Sequence, residues 1–405
     1  MLFQEKYQMQ KFLKTTAMSS VFFFVAYMYF PFFSPYLSSI GWSEPLKGFF
    51  FASFSFAGIF FSTYAGILAD RLGRYKLLML GLIIEAIAIC GYIFLDNIVA
   101  LFALRIISSI ANSAIIISGQ SRINDDISNS KRGRINGIFH TSISIAAITA
   151  PLLGGFISDN YGFEQLFIVS AIAMVVTILG ILLFDYFFYN DQHQHRVKAE
   201  KEKHEFNIIH QFRNILKYKE LRRAILSGIV VNFALPLSTL VLPFIIMQRM
   251  GLSNSHLSIA IFLIAFAHIF QFFFGYLSEK IGKGKGILFG GVFQALCLIL
   301  MFFTTSYEVL LLLIFLRSIG TSMWNVSMLG YMSDIGETYN IEGRVIGVYS
   351  SITRIFTTIS FVICGFIITQ LSYWLFFIYG AIALVGMLLI HKTFLKPSPA
   401  VNWET

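Results

Sequence analysis

Arg105, Arg317 and Arg354 each stand inside a long apolar run. A guanidinium at the centre of a membrane-crossing helix costs about 2.5 to 3.5 kcal/mol to insert, so such a side chain must find water, an anion or a carboxylate. Glu85 is the clearest carboxylate in a comparable position, and His268 and His140 are apolar-run histidines able to titrate near neutral pH. Residues of these types bind anions and relay protons. Nothing arranges the chain for hydrolytic or metal chemistry. It has no G-x-S-x-G elbow, Walker loop or H-E-x-x-H run, and Cys90, Cys297 and Cys364 lack metal-like spacing. The pattern reads as binding and proton handling, not as an enzyme, with no cofactor or metal expected.

The charged residues belong to polar stripes. Ser108, Ser109 and Asn112 follow Arg105 at three- and four-residue steps, which puts all four on one helix face. Arg317, Thr321 and Asn325 form a second stripe, and Ser350, Ser351, Arg354, Thr357 and Thr358 a third. These faces are expected to look into a central cavity rather than at lipid, with Tyr27 and Asn232 adding to its lining.

Composition sets the elements that carry the stripes. Of 405 residues, 57% are hydrophobic and 13% charged, against roughly 25% charged in a soluble domain. Apolar runs long enough to span a bilayer, about 20 residues each, recur between short polar joints. They place helices near 13–39, 45–69, 77–95, 98–120, 136–158 and 164–188. A second set follows near 223–247, 256–278, 286–305, 309–332, 345–370 and 372–391. The polar stretch 189–222 reads as a cytoplasmic linker between a six-helix bundle at 1–188 and another at 223–405. The formal net charge of +9 suggests nucleic acid at first sight. With the N-terminus inside, however, 25 of the 30 Lys and Arg fall on the cytoplasmic side, Lys47 and Arg249 fall outside, and three arginines lie within spans. Cytoplasmic loops carry this excess, so the basic surplus reads as topology, with both termini cytoplasmic and no nucleic-acid partner.

An internal repeat runs through the chain. Gly66, Asp70, Arg71, Gly73, Arg74 and Lys76 after helix 2 recur after helix 8 as Gly275, Glu279, Lys280, Gly282, Lys283 and Lys285, each 209 residues on. Gly133-Arg134 and Gly137 recur as Gly343-Arg344 and Gly347, and Gly155-Phe156-Ile157 as Gly365-Phe366-Ile367, at an offset of 210. Arg105 has Arg317 as its counterpart 212 residues later. Two parallel six-helix halves are a transporter plan.

These residues resemble the major facilitator superfamily over essentially the whole chain. The joint after helix 2 matches its G-x-x-x-D-R-x-G-R-[RK] pattern at Gly66, Asp70, Arg71, Gly73 and Arg74, with Lys76 one place beyond the commonest basic position. The resemblance implies an all-α membrane fold of twelve helices in two bundles, and secondary transport by alternating access. Gly66 would let helix 2 approach a neighbour closely. Asp70 would meet the positive N-terminus of helix 11 and hold the cytoplasmic side shut, with Arg71, Gly73, Arg74, Gly275 and Glu279 completing the gate. In helix 5, Gly137, Ala146, Ala150, Pro151, Gly154 and Gly155 are spaced like the family's antiporter motif, with alanine for two of its glycines.

That motif favours proton-driven export. Arg105 resembles the helix 4 arginine linked to proton coupling, which makes Asp70, Arg105, Glu85 and His268 the coupling candidates. Glu85 lies in helix 3, which the family places at the periphery of its cavity. Helix 1 lacks the carboxylate carried there by many exporters of cationic drugs. The cationic lining of Arg105, Arg317 and Arg354, with Asn112, Asn325, Tyr27, Thr357 and Asn232, points to an anionic or zwitterionic substrate such as a carboxylate siderophore or metabolite. A multidrug efflux antiporter and proton-coupled uptake of an organic anion are the alternatives. The expected partners are a small molecule, protons and the lipid of a cytoplasmic (inner) membrane, in a monomer.

Overall fold

The computed structural model describes residues 2–124, 129–188, 218–339 and 342–394, so the linker read at 189–222 lies outside the described residues as far as 217. Among the described residues there is no strand. Helices are the form in which a bilayer-spanning segment satisfies its own backbone polar groups. The spans are α1 (Phe12–Ser39), α2 (Glu44–Ser62, in a helix running on to Leu72), α3 (Arg74–Phe94), α4 (Ile98–Ile123), α5 (Ile138–Asn160) and α6 (Phe163–Phe184). They continue with α7 (Glu220–Arg249), α8 (Asn254–Ile281), α9 (Lys283–Phe302) and α10 (Tyr307–Gly336). The last apolar run, Gly347–His391, is too long for one crossing and breaks at Leu371, where φ −121° and ψ 29° leave the helical region. It provides α11 (347–370) and α12 (372–391). Among the described residues twelve spans result, at the places the hydrophobic runs predict, and the protein is a multi-pass membrane protein.

Two spans change their winding at prolines. Pro31 sits in a single 3₁₀ turn, Phe30–Phe32, within α1. In α7, Pro236 and Pro243 each precede a π-helical stretch, Leu237–Val241 and Phe244–Arg249. Proline removes a backbone donor and crowds the preceding turn, which accounts for a local change of winding.

The chain forms two compact units, one from the described residues of Met1–Phe33 and Ala57–Glu205, the other from those of Ser34–Phe56 and Phe206–Thr405. In the first, α3 packs on α4 and α6, and α1 on α4, α5 and α6. In the second, α9 packs on α10 and on the α11–α12 run, which also covers α7. The start of α2 belongs to this second unit. There a Cβ on Gly48 would stand 2.7 Å from the Phe361 carbonyl oxygen and 3.0 Å from Gly365 Cα, and Phe51 stacks on Phe361 at 5.6 Å. The close approach expected at Gly66 is not made among the described residues, none of which has an atom within 4 Å of where its Cβ would be. That side of α2 is unpacked at Gly66, and backbone contact in this helix occurs at Gly48.

The turns after α2 and α8 match each other. Gly73 and Gly282 adopt φ of +91° and +97°, a conformation that L side chains resist. Immediately after them, Arg74 Nη1 donates to the Ser121 carbonyl at 2.9 Å and Lys283 Nζ to the Gly330 carbonyl at 3.4 Å. Lys283 also pairs with Asp334 at 2.6 Å. One cation thus ties α3 to α4, and another ties α9 to α10.

Candidate functional site

In the first unit, polar residues of α1, α3 and α4 converge. Glu85 and Arg105 are 2% and 1% exposed. The Tyr29 hydroxyl donates to Glu85 Oε1, Ser108 lies beside the same carboxyl, and the Ser108 and Tyr92 hydroxyls are 3.4 Å apart. Arg105 interacts electrostatically with Glu85, Tyr29 and Tyr92. Its guanidinium also lies over the rings of Phe30 and Phe33, 4.4 and 4.9 Å from their centroids. A planar, weakly hydrated cation suits such an enclosed aromatic face, and an opposite charge compensates part of its desolvation. The 3₁₀ turn in α1 separates Tyr29 from Phe33, and both reach this cluster. Chemically, the arrangement is a single enclosed carboxyl that can hold or release one proton against a fixed cation.

The first stripe is therefore more enclosed than its spacing suggests. Ser108 and Ser109 are buried with Arg105, while Asn112 is half-buried. Tyr27 is also half-buried and stacks on Phe23. In α5, Pro151, Gly154 and Gly155 are buried. A Cβ on Gly154 would lie 2.0 Å from the Met28 carbonyl oxygen, so α1 and α5 meet at their backbones. The side chain of Asp70 lies outside the described residues. Arg71 and Glu279 are exposed, and a Cβ on Gly275 would meet Val326 at an ordinary 3.4 Å.

The second unit treats its arginines differently. Arg317 Nη1 donates to Ser238 of α7 at 3.0 Å, and its Nε has no protein partner. Arg354 is half-buried, and no carboxylate pairs with it or with Arg317 among the described residues. Thr357 donates to the Asn232 carbonyl at 3.3 Å, and Asn232 Nδ2 is 3.5 Å from the Tyr349 hydroxyl. The structure thus brings Asn232 and Thr357 together across α7 and α11. Asn325 is half-buried in α10. His268 Nδ1 is 2.7 Å from the Ile264 carbonyl one turn earlier, within electrostatic reach of Arg317.

Two groupings lie outside the polar stripes read from the sequence. Tyr29 and Tyr92 are invisible as partners of Glu85 and Arg105 until three helices are assembled. Lys47, counted on the outer side by sequence, is 1% exposed. Its Nζ lies 2.5 Å from both Glu44 and Ser38, and Gln248 of α7 donates to the same Glu44 carboxylate at 3.1 Å. The i,i+3 spacing of Glu44 and Lys47 is the signal that could have found this pair.

Fold and clusters together define a multi-pass helical membrane protein that encloses charged side chains within its bundles. The profile of the Major Facilitator Superfamily matches residues 15–269 and again 255–404. The chain belongs to the major facilitator superfamily. It is 22% identical to the quinolone resistance protein NorA of Staphylococcus aureus over 320 residues, covering 78% of this chain and 80% of that one. It is 28% identical to the MFS-type transporter ppzB of Metarhizium rileyi over 129 residues, 32% of this chain but only 27% of that relative's length. In structure it is similar to a POT family transporter crystallised with 5-aminolevulinic acid, with a TM-score of 0.76 over 96% of this chain and 97% of the other at 15% identity, a likeness of fold.

Proposed function

We propose that the protein is a proton-coupled secondary transporter that exports a small anionic or zwitterionic organic molecule by alternating access. The observation that carries this reading is the unequal treatment of the span arginines. Arg105 is enclosed with Glu85, whereas Arg317 and Arg354 have no carboxylate partner among the described residues. A cation held within a membrane span without a counter-charge suits an anionic substrate. Asn232, Thr357, Asn325, Asn112 and Tyr27 complete the proposed binding set.

Glu85 is the proposed proton carrier, ahead of Asp70 and His268. Protonation would remove the charge that faces Arg105 and weaken the tie between α1, α3 and α4, so proton binding and conformation would be coupled. The moving bodies are proposed to be 1–188 and 223–405 joined by 189–222, in a monomer with both termini cytoplasmic in an inner membrane. Asp70, Arg71, Gly73, Arg74, Gly275 and Glu279 form the proposed gate, and Pro151, Gly154 and Gly155 the bend in α5. A second reading, multidrug efflux, is favoured by the likeness to a quinolone resistance protein.

The test is flux in liposomes holding the full chain, under an imposed pH gradient, with ciprofloxacin as a carboxylate zwitterion and tetraphenylphosphonium as a cation. The expected result is gradient-driven ciprofloxacin flux that falls about tenfold or more in Arg354→Ala, the loss of a charge-assisted contact. In Glu85→Gln, substrate exchange should persist while the response to the gradient disappears. Cation flux unaffected by Arg354→Ala would remove the anion argument and favour the multidrug reading.

A further inference from the structure

Glu85 has a counterpart in the second unit. The turn glycines Gly73 and Gly282, the cations Arg74 and Lys283, and the carbonyls of Ser121 and Gly330 that those cations bind are each 209 residues apart. This fixes the register of α3–α4 on α9–α10. In that register Glu85 corresponds to Gln294 and Ser108 to Arg317, while Arg105 falls on Ile314. Arg317 is therefore displaced by one helical turn from the true equivalent of Arg105. The first unit sets a carboxylate beside a serine, with the arginine one turn away. The second replaces that carboxylate with an amide and puts the arginine in the serine's place.

The exchange leaves donors without acceptors among the described residues. Gln294 is 4% exposed; its Oε1 accepts from Thr321 at 2.8 Å, and its Nε2 has no partner. Arg317 stands one turn before Thr321, with Nη1 on Ser238 and Nε unpartnered. His268 and Cys297 lie within electrostatic reach of Arg317, and neither is a carboxylate. Gln294 sits about 17 Å along α9 from its start, near the middle of the span. Buried donors are nearly always satisfied in native proteins, so these two, which find no acceptor among the described residues, are open to one from a bound molecule.

We propose that Gln294 and Arg317 form the subsite that binds the carboxylate of the transported molecule, an inference that rests on the reading of this protein as an exporter of anionic or zwitterionic compounds. A carboxylate offers one oxygen to the guanidinium and the other to the amide. Its single negative charge matches the single positive charge present, which a phosphate would exceed. Thr321 fixes the amide by occupying its oxygen, so that the NH₂ is presented as a donor.

The experiment measures equilibrium binding to the full chain in liposomes, with ciprofloxacin and its methyl ester as probes. Wild type is expected to bind the acid about tenfold or more tightly than the ester, and Gln294→Leu and Arg317→Gln should each bring the two within about twofold while leaving the ester unchanged. Gln294→Glu supplies a tethered carboxylate at the same place. It should raise the thermal midpoint, remove the preference for the acid, and lose the gain in midpoint when combined with Arg317→Gln. If wild type prefers the acid and both single variants keep that preference, the subsite is overturned while the exporter reading stands. A lowered or unchanged midpoint for Gln294→Glu would also overturn it. Equal binding of acid and ester by wild type would defeat the anion reading and the subsite together.

Discussion

Arg105 and Glu85 depend on each other because both are almost completely enclosed by protein. Removing one member of an enclosed pair strands the other, at a cost of about 3 to 5 kcal/mol, whereas replacing both by neutral groups is often close to neutral. Arg105→Leu is therefore expected to lower the thermal midpoint of the detergent-solubilised protein sharply, and Arg105→Leu with Glu85→Gln to recover most of the loss. A double variant as unstable as the single would mean that the rings of Phe30 and Phe33, rather than the carboxyl, account for the role of Arg105. At this scale the sequence shows the charged residues but not their partners. Glu85 lies in a helix that the family places at the periphery of its cavity, and the structure adds its partners, Tyr29 of α1 and Arg105 of α4.

Helices meet in this protein where glycine lets backbones touch. Membrane helices gain little from hydrophobic burial against each other, so close van der Waals approach carries much of their association. Gly154 against Met28 in the first unit and Gly48 against Gly365 in the second are such points. A leucine at Gly154 has nowhere to go without parting α1 from α5. Gly154→Leu should cost about 1 to 3 kcal/mol of stability through overpacking, together with most transport. Gly180→Leu in α6 is the control, since no atom lies within 4 Å of the added Cβ. Unfolding midpoints and flux measured on both variants decide the matter, and equal effects would show that α1 and α5 have slack. Small residues in α5 are visible in the sequence. Their contact is not, and at Gly66 the expected contact is absent among the described residues, because a glycine's spacing does not say which neighbour its face will find.

For the molecule as a whole, the charge asymmetry predicts orientation. Ser306 lies between α9 and α10, and Lys285 lies just past the α8–α9 turn; both are exposed. In intact cells an impermeant maleimide should label Ser306→Cys and spare Lys285→Cys, with background set by Cys90, Cys297 and Cys364 in their spans. The reverse pattern would invert the topology and turn the export reading into uptake. Twelve spans, the repeat and the basic bias were all readable along the chain, since each depends on local composition. The packing of Ser34–Phe56 with helices that lie far along the sequence is not a property of local composition.

The sequence by itself determined that this chain crosses a bilayer twelve times, repeats itself at an offset of 209 residues and carries three arginines within its spans. Length and polarity of each segment decide those properties, because a bilayer tests every segment separately. Only the tertiary structure decided that Arg105 is answered by Glu85 while Arg317 meets Ser238 and has no carboxylate partner among the described residues. Which side chains meet depends on how each helix is rotated and set in depth against its neighbours, and no single helix encodes that.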